Sequence, residues 1–147
     1  MSCDKIEWCL QRNKGIKLIE PNGNLSKSYI NEALSDLETI EKVNEKWKII
    51  TSYYSCYNAL YSILMKIGIK CEIHDCTIAL MELLGFDPLE INFMHSLKEK
   101  RINVQYYLKS SDLFVDKKKV FDFVITCKKI LNLLNDKKIN RIRSKLK

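Results

Sequence analysis

One arginine stands where an apolar residue is expected. Met94, Leu97, Val104 and Leu108 recur at a/d spacing, and Arg101 falls on the same stripe between Leu97 and Val104. A buried guanidinium is strongly disfavoured unless it is paired, and arginine cannot escape by losing its proton. The chain has four arginines, and Arg101 alone falls inside the inferred helical body. Two chemistries fit such a residue: an anion or phosphate site in a cleft, or an inter-helix ion pair, for example to Asp36 or Glu38.

The other reactive side chains are sparse. There are two histidines. His95 precedes Arg101 by six residues and projects about 120° from it on an ideal helix. His74 lies at the start of a short helical segment. Cys71, His74 and Cys76 are close in sequence, but their spacing is not that of paired zinc ligands and no second cluster follows. No metal and no cofactor is therefore expected. Gly-rich phosphate loops, HExxH and a recognisable Ser-His-Asp set are all missing.

The element that must position these groups runs from Trp47 to Gly68. Seventeen residues between Lys48 and Lys66 carry no charge, and apolar or aromatic residues occupy every side of the helical wheel. Tyr53, Tyr54, Tyr57 and Tyr61 lie here. Ser52, Ser55, Ala59 and Ser62 form a stripe of small residues that admits a second helix closely. The run is too short and too rich in hydroxyls for a membrane span, which needs about 20 mostly apolar residues. Asn44 is its expected cap, and Lys66 with Gly68 its expected end.

Around it, the pattern predicts a short helix over residues 3–14 with Ile6, Cys9 and Leu10 inward. A break follows at Pro21-Asn22-Gly23, then a helix over about 25–44 capped by Asn24. Asp75 is the expected cap of a short helix reaching Leu84. Gly85 to Pro88 stops it, and another helix covers 89–108. A loop at Lys109–Asp112 leads to a last helix over about 116–135, which the basic tail extends or leaves fraying in solvent. The divisions are 1–24, a helical body 25–135 and a basic tail 136–147.

Composition agrees with an all-α chain of one main domain. It has 147 residues, 46% of them hydrophobic, with only four glycines and two prolines to make turns. The net charge of +7 is concentrated in the tail, where six basic residues face one acid. Such a tail can hold phosphates electrostatically. The first residues show no apolar leader, which predicts a cytoplasmic protein, not membrane-bound, with its six cysteines reduced.

The run SYYSCYNALYSILMKIGIKCEIH resembles the signature of HEPN domains (higher eukaryotes and prokaryotes nucleotide-binding), and RINVQYY resembles the family's later landmark. The resemblance spans about 25–134. It implies an antiparallel bundle of four or five helices, a homodimer, and a cleft at the dimer interface where two late arginines converge. Many HEPN domains are metal-independent endoribonucleases with an Arg-x4–6-His motif. Arg101 matches the Arg, but Tyr106 stands in the place of His, as in a subset of the family. A phenol is a poor general base at neutral pH. Arg101 and Tyr106 would instead bind a phosphate and stack a base, with Asn103, Tyr107 and His74 as further ligand-contacting candidates. The resemblance thus implies a nucleotide- or RNA-binding subunit, in a toxin–antitoxin-like pairing with a minimal nucleotidyltransferase. The alternatives are an endoribonuclease using Tyr106, His74 or His95, and a helical scaffold without a ligand.

Overall fold

The computed structural model describes residues 2–108 and 114–147. Seven helices run through the described residues: α1 (Ser2–Leu10), α2 (Gly23–Ile40), α3 (Glu45–Ile67), α4 (His74–Ala79), α5 (Pro88–Tyr106), α6 (Lys117–Leu133) and α7 (Asp136–Ser144). Two two-residue strands, β1 (Lys17–Leu18) and β2 (Ile69–Lys70), pair antiparallel with Lys17 opposite Lys70. The chain is a helical bundle, and no helix among the described residues is long and apolar enough to cross a membrane.

The bundle is built on α3. Asn44 is extended (ψ 172°), and its side chain accepts from the Trp47 backbone N–H at 3.2 Å. Gly68 ends the helix at φ +91°, its N–H donating to Leu64 O. Between them, Tyr53, Leu60, Ile63, Leu64 and Ile67 are buried on all sides by α2, α5 and α6. The small-residue stripe is wholly buried, and α2 makes the most extensive contact with α3. Ser55 Oγ donates to Ala33 O at 2.8 Å, and Ser26 Oγ donates back to Ser62 O at 2.7 Å. Each such buried bond adds about 1 kcal/mol net and fixes the register of the two helices.

Several boundaries differ from the sequence expectation. Asn22, not Asn24, caps α2, accepting from Leu25 N at 2.9 Å; Gly23 tolerates the first helical position, so the turn signal and the cap coincide. The helix stops at Ile40 instead of 44, because Asn44 must be extended to cap α3. Ile73, not Asp75, precedes the short helix, which ends at Ala79 and gives way to turns up to Gly85. Asp75 is drawn instead to Lys98, at 2.8 Å. Asp87 and Glu90 form a reciprocal capping box at the start of α5, with Pro88 in the first turn. That helix ends at Tyr106, and the expected loop at Lys109–Asp112 lies outside the described residues.

Two larger corrections concern the ends. The basic tail is neither an extension of α6 nor a fraying end. Leu134 breaks the helix (ψ 131°), Asn135 caps α7, and α7 folds back onto the bundle. Leu146 is buried. Arg143 Nη1 donates to the carbonyls of Ile19 (2.8 Å), Gly68 (2.9 Å) and Ile67 (3.1 Å), neutralising the carbonyl-rich end of α3. The expectation of six reduced cysteines is also overturned: Cys9 of α1 and Cys76 of α4 form a disulfide. Their sequence separation of 67 hid the pairing, which arises only because α1 folds back onto α4. Cys56, Cys71 and Cys127 are free and buried.

Candidate functional site

Arg101 sits in the last third of α5 on the face turned toward α3 and is only 6% exposed. Its Nη1 donates to Gln105 Oε1, one turn on, at 3.2 Å. Among the described residues it has no carboxylate partner. Asp36 is occupied elsewhere, accepting from Asn58 Nδ2 at 3.3 Å, and burial raises its pKa. The alternative of an inter-helix ion pair, for example to Asp36 or Glu38, is not seen among the described residues. Nε of Arg101 is buried with no hydrogen-bond partner, a deficit of roughly 1–3 kcal/mol.

Aromatic faces replace the missing anion. The guanidinium carbon lies 4.6 Å from the centre of the Tyr53 ring, 5.6 Å from Tyr54 and 5.8 Å from Tyr106. These distances are those of cation–π contacts. Tyr53 and Tyr54 come from α3, which α5 crosses; Tyr106 comes from the end of α5 itself. On a straight helix, positions 101 and 106 project about 140° apart. They meet because the long Arg101 side chain reaches round to the end of the helix. Tyr106 is 63% exposed, so one wall of this cage faces solvent.

His74 joins the cage through Tyr53. The Tyr53 hydroxyl is 2.8 Å from His74 Nδ1, and the imidazole stacks on Tyr57 with centroids 4.1 Å apart. Tyr57 in turn shares a hydrogen bond with Thr77 Oγ1 at 3.0 Å. Burial lowers the pKa of His74, with Arg101 and then Lys98 adding to the effect and Asp75 opposing it. Burial pushes the Tyr53 phenol up, with Arg101 opposing, so Tyr53 is a neutral donor at physiological pH. The result is a half-buried imidazole and a fixed cation on one tyrosine, with no acidic group on the guanidinium among the described residues. Chemically, that set can donate hydrogen bonds to an oxyanion and offer an aromatic face beside it.

The structure brings together Arg101, Tyr106 and His74. Asn103 follows on the same helix and Tyr107 lies just past its end; among the described residues neither makes a side-chain hydrogen bond or ring contact with Arg101. His95 is exposed and lines a separate groove with Lys5, Asp75 and Ile91. Tyr53, Tyr54, Gln105 and Lys98 were not singled out by sequence reasoning. Gln105 carries a legible signal, being four residues from Arg101; Tyr53 and Tyr54 needed the crossing of α3 and α5. An apolar groove lies elsewhere, a space of about 560 Å³ lined by Ile6, Leu10, Leu83 and Leu146 among others. Its lining holds none of the cage residues. Among the described residues no group of three or more His, Cys, Asp or Glu is placed to share a metal ion.

No protein-family model, no curated protein and no solved structure matches the chain.

Proposed function

We propose that this chain is a HEPN-like nucleotide- or RNA-binding subunit, acting as a homodimer beside a minimal nucleotidyltransferase. The single observation that supports binding is Arg101: buried, without a carboxylate among the described residues, and with an unpaired Nε inside a tyrosine cage. A purely structural arginine would be expected to recruit an acid; an arginine meant for a phosphate must be left without one. The assembly and the partner come from the resemblance of SYYSCYNALYSILMKIGIKCEIH and RINVQYY to that family. Exposed Tyr106 supplies a stacking face for a base.

Titration calorimetry with adenosine 5′-monophosphate and a short single-stranded RNA tests the reading. Wild type binds, and Arg101→Ala abolishes binding while the thermal melt stays largely intact. No binding by wild type, together with a large loss of stability in Arg101→Ala, would instead make Arg101 a structural residue. Light scattering that returned a monomer mass at micromolar concentration would count against the homodimer.

A metal-independent endoribonuclease is the second reading. The observation favouring it is the imidazole of His74, biased toward its neutral form and linked to the Arg101 cage through Tyr53. Cleavage of mixed RNA in the presence of EDTA, stopped by Tyr106→Phe or His74→Gln, would put this reading first.

A further inference from the structure

We propose that the Arg101 cage takes a doubly charged oxyanion together with one proton, which His74 picks up from solvent. The inference rests on the anion-binding reading of Arg101 and adds the ligand's charge class and its coupling to pH.

The coupling follows from the hydrogen bond between Tyr53 and His74. Tyr53 is wholly buried; its hydroxyl lies 2.8 Å from His74 Nδ1, and the Arg101 guanidinium, which can only donate, also acts on it. A buried hydroxyl needs an acceptor, so Tyr53 O–H donates and Nδ1 accepts. This assignment places the hydrogen of the neutral imidazole on Nε2. A proton arriving at Nδ1 reverses the bond: Nδ1–H then donates to Tyr53 Oη. The tyrosine hydrogen is freed for another acceptor, while the guanidinium lies over the same ring at 4.6 Å. Protonation therefore adds a positive charge and releases one O–H donor, both on the tyrosine that carries Arg101.

The groups facing His74 decide when this occurs. From α3 come the rings of Tyr53, Tyr54 and Tyr57; burial raises the phenol pKa of Tyr53 and of Tyr57. From α5 come Arg101 and Lys98, both cations that disfavour a charged imidazole, and from α4 itself Asp75. Asp75 is paired with Lys98 at 2.8 Å and is further influenced by Lys5 of α1 and by His95. Burial first, and then Arg101 and Lys98, hold the His74 pKa below its ordinary value. An oxyanion seated on Arg101 reverses that field, and the more charge it carries the more strongly it favours the imidazolium. A dianion, such as a terminal phosphate, is matched by arginine plus imidazolium; a singly charged diester is already matched by arginine alone.

Sulfate is the probe, because it stays a dianion throughout the range in which histidine titrates. Binding of sulfate to the full chain is measured by calorimetry at constant ionic strength from about pH 8 to about pH 5.5, in two buffers of different ionisation enthalpy. The expected result is an affinity about tenfold higher at the acid end, one pKa unit of linkage, with proton uptake peaking at about half a proton per sulfate midway through the transition. His74→Gln binds weakly with no pH slope, and the exposed control His95→Gln behaves as wild type. Equal sulfate affinity at every pH with no proton uptake by wild type would overturn the proposal and leave Arg101 as an anion site. A slope retained in His74→Gln would likewise overturn it. Failure of sulfate and of adenosine 5′-monophosphate to bind at any pH would sink the anion site and this inference together.

Discussion

At the residue scale, the question posed by Arg101 is what accompanies its charge. The spacing Leu97, Arg101, Val104 made its burial legible; its partners were not, because Tyr53 and Tyr54 reach it only through the crossing of α3 and α5. His74 offers a second test at this scale. Its folded-state pKa is lowered from 6.5, so the unfolded chain binds the proton first. The associated stability is complete above about pH 6.5 and is lost as pH falls through the lower folded value. Urea melts of wild type and His74→Gln between about pH 7.5 and about pH 5 should show wild type losing more stability than the variant over that interval. Parallel profiles would mean that His74 is not shielded from protonation.

At the element scale, α3 was the most legible part of the chain. Its cap Asn44, its glycine stop and its small-residue stripe act within a few residues of each other, so local chemistry decides them. The start of α2 and the extent of α4 were read less well, because they depend on where a neighbouring cap or ion pair is needed. Two variants test the packing. Ala59→Arg places a bulky charge in the stripe where Ala59 is fully buried and should lower stability by several kcal/mol, through overpacking and an unpaired buried charge. Gly68→Ala should cost more than about 1 kcal/mol, because the residue has φ +91° and an added Cβ would run into Ile19 O and the Arg143 guanidinium. Thermal melts read both, and an unchanged melt in either would contradict the packing described.

At the scale of the whole molecule, long-range closure governs what the sequence could not show. The disulfide ties α1 to α4 across 67 residues, and its reduction should remove up to about 4 kcal/mol by loosening the unfolded chain's constraint. A urea midpoint unmoved by dithiothreitol would contradict that. The tail, which composition presents as a phosphate-binding arm, is held by Arg143 and Leu146, so truncation after Asn135 should lower stability as well as positive charge. The central claim is that Arg101 is kept for an anion and not for the fold. It is tested most directly by thermal unfolding of wild type and Arg101→Met with and without adenosine 5′-monophosphate. Replacing an arginine that has no carboxylate partner among the described residues by an apolar side chain of similar length removes a desolvation cost. The account predicts a melt for Arg101→Met equal to or above that of the wild type, and a nucleotide-induced rise in the wild type that the variant loses. A variant that melts well below wild type, with no nucleotide effect on either protein, would contradict it.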